Sequence, residues 1–244
     1  MEIKMLEVYA ITDVGVSRKL NQDFIYAKNT PVGNLANLFI VADGMGGHNA
    51  GDFASKCAVE IMNSEIRGDG DNDVKEILTR AIQKANEVIL QISRAQNDMS
   101  GMGTTLVVAT YKENRLQLFN VGDSRLYIME EQLEQITLDH SYVEEMVRLH
   151  ALDREEANSN PNKNKITRAV GVADALDADY FEIEVKEGAY ILMCTDGLTN
   201  MVTDKEIETI LSTQQTIMQK AVNLVETANY NGGRDNISVI LIKI

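Results

Sequence analysis

The sequence predicts an α+β fold of mostly antiparallel sheet with helices packed outside it. Three observations point there: strand patterns come in groups, two long helical patterns stand together between the third and fourth strands, and strict strand–helix–strand alternation is absent. Alternation and β-branched content place the first strands at 6–12, 23–28 and 37–42. Helical periodicity follows over 50–66 and 73–96. In the second helix Val74, Ile77, Leu78, Ala81, Ile82, Ala85, Val88, Ile89 and Ile92 share one face. Strands at 105–111, 115–121 and 124–129 form a meander, and a helix is predicted at 141–151. Strands at 180–185 and 190–195, helices at 203–211 and 216–229, and a strand at 237–242 complete the chain. The polar run 152–165 reads as a surface insertion, because strand patterns resume after it. Residues 1–244 are therefore expected to form one domain.

Thirty-seven acidic residues against 23 basic ones give a formal net charge of −14, which argues against a broad nucleic-acid footprint. No apolar run has the length to span a bilayer, and the N-terminal stretch lacks the basic-then-apolar pattern of a secretion signal. A cytoplasmic protein without membrane contacts is the expectation, and a monomer. Cys57 and Cys194 then read as reduced, small buried hydrophobes. The three histidines, His48, His140 and His150, have no zinc-site spacing, so any metal site would be built mostly from oxygen.

Four aspartates share a local context. Asp43 follows LFIVA, Asp123 follows LFNVG, Asp196 follows ILMCT, and Asp235 precedes NISVILIKI. A single aspartate at a strand end is usually a turn-former. Four at the ends of strands could meet at one sheet edge, and carboxylates buried together require cations to neutralise them. Oxygen-only ligation favours Mg²⁺ or Mn²⁺. Gly44 and Gly197, directly after two of the acids, would let the backbone approach a cation and leave the strand through a positive φ, or simply make turns. Arg18 is suited to a bidentate grip on a phosphate or carboxylate.

Other chemistries are excluded by what the chain lacks. Neither cysteine starts a Cys-x5-Arg loop, and no GxxxxGK[ST] or Gly-x-Ser-x-Gly motif is present. The Asp-x-Asp pairs among Asp69, Asp71 and Asp73 and at Asp177 and Asp179 lie in polar segments rather than after a strand. Water activated by metal is the remaining nucleophile.

Eight segments, in order, carry a resemblance: TDVGVSRKLNQDF, VADGMGGHNAGDFAS, GMGTTLV, NVGDSRLY, LDHSYVEEM, ITRAVG, CTDGLTN and GGRDNISVI. Over essentially its whole length the chain resembles the metal-dependent Ser/Thr protein phosphatases of the 2C type in their compact bacterial form. The resemblance implies a four-layer α-β-β-α sandwich of two antiparallel sheets. It implies two tightly bound Mn²⁺ or Mg²⁺ ions, with Asp43 bridging them, the Gly44 carbonyl on one, and Asp196 and Asp235 on the other. Asp123, with Asp196, matches the site of a third, weaker ion, and Arg18 matches the residue that grips the substrate phosphate. Phosphorylated Ser/Thr proteins, made by a cognate kinase, are the implied partners.

Departures from the pattern matter too. Gln22 stands where many members have Glu, and could hold a metal-bound water, as could Asp23. Met45 fills the place of the histidine that follows Asp-Gly in animal members. His48, three residues later, is a candidate general acid or a loop-fixing residue. His140 reads as structural, and Lys163 and Lys165 as solvated or as an attraction for acidic peptides. The segment 141–168 matches a flap beside the active site. An inactive phosphoprotein-binding member and a hydrolase of small phosphoesters are the alternative readings.

Overall fold

The structure is a computed structural model that describes residues 6–47, 50–153, 156 and 160–244. Its elements run β1 (Glu7–Asp13), β2 (Asp23–Lys28), β3 (Leu38–Met45), α1 (Ala50–Gly68), α2 (Val74–Ala95), a 3₁₀ turn (Asn97–Met99), β4 (Gly103–Thr104), β5 (Leu106–Lys112) and β6 (Arg115–Val121). There follow β7 (Arg125–Met129), β8 (Leu133–Gln135), α3 (Tyr142–Arg148), β9 (Asp179–Glu184), β10 (Tyr190–Cys194), α4 (Asp196–Thr199), α5 (Asp204–Leu211), α6 (Ile217–Tyr230) and β11 (Ile237–Lys243).

Two antiparallel sheets form, in the orders β1-β11-β10-β7-β8 and β2-β3-β5-β6-β9, with β4 paired to β3. Period-2 geometry gives each central strand two buried faces. On β3, Leu38, Ile40 and Ala42 pack with Ala54, Ala58, Met62 and Ile82 of α1 and α2, while Phe39 and Val41 pack with Ile191, Met193 and Ile240 of the other sheet. On that sheet Leu192, Cys194, Val239 and Leu241 turn outward to Ile207, Leu224 and Ala228 of α5 and α6. The expected α-β-β-α sandwich results. Doubly buried strands also explain why Leu38–Ala42 shows no polar alternation.

Local signals terminate the helices. The Asp73 carboxylate caps α2 by accepting from the Lys75 and Glu76 amides, and Thr203–Glu206 and Thr216–Gln219 form capping boxes at α5 and α6.

Four expectations need correction. The strand predicted to end at Ala42 continues to Met45, because β4 supplies partners for Gly44 and Met45. The strands β4 and β8 are too short to leave a periodic trace. The helix predicted at 141–151 is only Tyr142–Arg148, capped by Ser141, and His150 lies beyond it at φ 56°. Cys194 is buried as expected, but Cys57 is only half-buried.

Candidate metal centre

Strand register collects the acids. Asp23 opposes Asp43 across β2–β3, Leu106 opposes Val121 across β5–β6, and Cys194 opposes Val239 across β10–β11. The segments carrying Asp23, Asp43 and Asp123 therefore leave one sheet at a common end, and those carrying Asp196 and Asp235 leave the other. The two ends meet through Asp23: its Oδ2 accepts from Thr195 Oγ1 at 2.9 Å and Ser238 Oγ at 2.7 Å, both in or beside the opposite sheet.

Close hydrogen bonding holds the acids. Asp43 is gripped by its backbone, whose N–H donates to Thr105 Oγ1 at 2.9 Å and whose carbonyl accepts from Thr105 N and Thr104 Oγ1 at 2.9 Å each. Thr105 Oγ1 also bonds Ser124 Oγ at 2.7 Å, which ties Asp43 to the turn bearing Asp123. Asn200 Nδ2 donates to Asp196 Oδ2 at 2.9 Å, and the Asn236 amide nitrogen donates to Asp235 Oδ1 at 2.9 Å. Arg18 Nη2 lies 2.8 Å from Asp235 Oδ2, with much of the guanidinium exposed.

The gathered acids act on one another's charge. Burial pushes the Asp43 carboxyl well up, and the charges of Asp23, Asp196, Asp123 and Asp235 add to the shift. Asp196 is raised by burial and by Asp235, against the lowering hydrogen bonds from Asp43 and Asn200. Asp123 is raised by burial, then by Asp196 and Asp139. Burial lifts Asp23 to about 7 despite its two hydroxyl donors, with Asp196 and Asp235 adding to the effect.

Like charges that raise one another's pKa are stabilised by a cation placed among them. All side-chain donors here are oxygen, which suits a hard divalent ion. Among the described residues no group of three or more His, Cys, Asp or Glu side chains is arranged to hold a metal ion by itself, so a cation here would need carbonyl and water oxygen as well. A Cβ on Gly51 would lie 2.5 Å from the Gln22 side-chain amide and 2.6 Å from the Gly44 carbonyl oxygen, so only glycine packs against these two groups.

The glycines after the acids act differently from the expectation. Neither Gly44 nor Gly197 has a positive φ. A Cβ on Gly44 would meet the Gly51 carbonyl oxygen at 2.0 Å, and one on Gly197 would meet the Asn236 carbonyl oxygen at 1.9 Å. Both are glycine because backbone packs directly on backbone. The positive φ lies instead at Gly122, +104°, where the chain turns between β6 and Asp123.

Beside Asp123 and Asp196 opens a cleft of about 570 Å³, lined also by Arg125, Asp139, Lys163 and Lys205. Lys163 thus faces this cleft, while Lys165 contributes its carbonyl to the Tyr142 amide. His140 is structural, as expected: its backbone N–H donates to the Gly122 carbonyl at 2.9 Å, its Nδ1 accepts from Gly122 N at 3.1 Å, and its Nε2 lies 3.2 Å from Asp179 Oδ2. His48 lies outside the described residues.

Sequence reasoning missed the orienting groups Thr105, Thr195, Asn200, Asn236 and Ser238. Thr195, Asn200, Asn236 and Ser238 stand within four residues of a marked acid, the one signal that could have singled them out. Asp23 carried more weight than its position beside Gln22 suggested.

The protein phosphatase 2C family model matches residues 16–235. A serine/threonine phosphatase, stp, of Listeria monocytogenes is 38% identical over 241 residues, covering 95% of this chain and 93% of its own length. The structure of the Streptococcus agalactiae serine/threonine phosphatase superposes with a TM-score of 0.92 at 35% identity, covering 98% of this chain and 99% of that one. The catalytic domain of the serine/threonine protein phosphatase PstP, determined with two manganese ions, has a TM-score of 0.86 at 32% identity over 98% of both chains. With acids, fold and relatives in agreement along nearly its whole length, the chain belongs to the protein phosphatase 2C family and is a protein-serine/threonine phosphatase of the bacterial type.

Proposed function

We propose that this phosphatase holds two divalent cations, Mn²⁺ or Mg²⁺, through Asp43, the Gly44 carbonyl, Asp196 and Asp235, and a weaker third through Asp123 and Asp196. The observation that carries the assignment is the strand register that brings Asp23, Asp43 and Asp123 to one sheet end and Asp196 and Asp235 to the adjoining end of the other, where the acids raise one another's carboxyl pKa. The manganese in the PstP relative supports the same reading. Bound cations supply the charge that neutralises phosphoryl oxygens and acidifies an attacking water.

The chain's own residues position and screen. Arg18, now 2.8 Å from Asp235, presents an exposed guanidinium beside the acids and exchanges part of that ion pair for a phosphate oxygen as substrate arrives. Asn200 and Asn236 fix Asp196 and Asp235, and Thr195 and Ser238 fix Asp23, so the acids need little reorganisation during reaction. Gln22 and Asp23 hold water at the edge of the cluster. The segment 141–168 acts as the flap over the cleft, and the whole chain works as one domain.

The test is dephosphorylation of a phosphothreonine peptide by the purified chain, with small phosphorylated metabolites in parallel. Mn²⁺-stimulated, chelator-sensitive turnover favouring the peptide is expected. Preference for metabolites, or turnover indifferent to chelator, refutes the reading. Replacement of His48 by alanine with an unchanged pH profile removes it as general acid.

A further inference from the structure

We propose that His140 is a positioning residue for the weaker third cation, its ring setting the turn that aims Asp123. The proposal rests on the assignment of Asp123 to that ion.

Backbone accounting leads to the ring. Val121 is the last residue of β6 paired to β5, at Leu106, and Asn120 is the last paired to β9, at Asp179. Gly122 therefore lies beyond both ladders, yet it is buried, so its N–H and carbonyl need partners from elsewhere. His140 supplies both: its Nδ1 accepts from Gly122 N at 3.1 Å, and its backbone N–H donates to Gly122 O at 2.9 Å. Asn120 Nδ2 offers the carbonyl a second donor at 3.4 Å, and it also donates to the Leu138 carbonyl at 2.9 Å, which draws the 138–140 segment alongside the turn. For the Gly122 N–H the acceptor is the ring nitrogen. Gly122 itself sits at φ +104°, and a Cβ there would meet Thr105 Cγ2 at 2.6 Å, so the turn is packed against Thr105 as well.

The next residue is Asp123. Asp196 is held by the Asn200 side chain and Asp23 by Thr195 and Ser238. The hydrogen bond that lowers the Asp123 carboxyl comes instead from its own backbone, so its direction follows the turn. What fixes Gly122 therefore aims Asp123, as groups behind a ligand commonly do.

The ring is oriented in its turn. Its Nε2 lies 3.2 Å from Asp179 Oδ2, and Arg168 Nη1 lies 3.0 Å from Asp179 Oδ1. Thr167 N donates to the His140 carbonyl at 2.8 Å. Both ends of the segment 141–168 thus meet at His140, whose ring carries their placement to the Asp123 turn.

The experiment titrates Mn²⁺ into the wild-type chain, His140→Asn, His140→Gln and Asp123→Asn, reading free Mn²⁺ by electron paramagnetic resonance and turnover of a phosphothreonine peptide at each point. Asparagine carries an acceptor as far from Cβ as Nδ1 and keeps the Gly122 contact; glutamine carries a donor as far out as Nε2 and keeps only the Asp179 contact. The weakest Mn²⁺ component should vanish in Asp123→Asn, weaken about tenfold in His140→Gln and change less than about twofold in His140→Asn, with tight binding retained in all. Half-maximal turnover should shift in the same order. Equal weakening in both His140 variants, as a general loss of packing would give, overturns the positioning role while leaving the third site in place. So does a His140→Gln titration like that of the wild type, or one that loses tight binding too. In the wild type, which needs no variant to fold, the nitrogen-15 shift of His140 Nδ1 should move as Mg²⁺ fills the weak site, and a shift indifferent to Mg²⁺ overturns the role. A weak component that is absent from the wild type, or that survives Asp123→Asn, sinks the third-cation reading and the positioning role with it.

Discussion

Replacing Asp23 by asparagine should make the metal-free protein more stable, and more so as pH rises. Asp23 is 6% exposed, and burial lifts its pKa from 3.8 to about 7. A carboxyl whose pKa is raised on folding favours the folded state fully below its unfolded pKa, and that stability is lost as pH climbs through the folded value. At 1.36 kcal/mol per pH unit the loss reaches about 4 kcal/mol at pH 8 and about 2 kcal/mol at pH 5. Asparagine does not ionise and can still accept from Thr195 or Ser238, so the variant escapes this pH-dependent part. Urea unfolding in chelator should therefore show a gain for Asp23→Asn that is about 2 kcal/mol larger at pH 8 than at pH 5. Saturating Mn²⁺ should stabilise the wild type more than the variant, because only the wild type relieves a buried charge at this position. A pH-independent gain, or a variant whose advantage shrinks from pH 5 to pH 8, would refute the electrostatic account of this cluster.

Further outcomes follow from the same geometry. Asp196→Asn and Asp235→Asn should each remove nearly all Mn²⁺-dependent hydrolysis of a phosphothreonine peptide, and near-wild-type turnover in either would sink the ligand assignment. Gly197→Ala should cost more than about 2 kcal/mol in chemical denaturation, since its Cβ would meet backbone at 1.9 Å; a neutral effect would mean that the α4–β11 contact yields easily. Nitrogen-15 shifts of His140 should report a neutral ring protonated on Nε2 at pH 7, as burial lowers its pKa and Nδ1 accepts from Gly122; an imidazolium at that pH would contradict the network.

Much of the centre was legible because its acids sit where hydrophobic patterns stop. LFIVA, LFNVG and ILMCT are each followed directly by an aspartate, and buried strands are the most visible feature of a sequence. Asp23 was harder to weigh. It begins a half-exposed strand, DFIYAK, with no apolar run before it, and its burial depends on Thr195 and Ser238, more than 170 positions away. Tertiary contact also hid the reason for Gly44 and Gly197. A glycine after an acid looks like a turn, yet each is shaped by a carbonyl from another segment.

The sequence by itself determined an antiparallel α+β fold with helices outside, since amphipathic helices and apolar strands must bury their faces, its resemblance implied the four layers, and it marked Asp43, Asp123, Asp196, Asp235 and Arg18. Only the tertiary structure decided how those charges act on one another. Repulsion among carboxylates, the ion pair of Arg18 with Asp235 and the fixing of the Val14–Leu20 loop by Asn236 all depend on contacts between segments far apart in the chain. Local patterns record which faces are apolar; Coulomb and backbone contacts depend on distances that exist only once the two sheets have met.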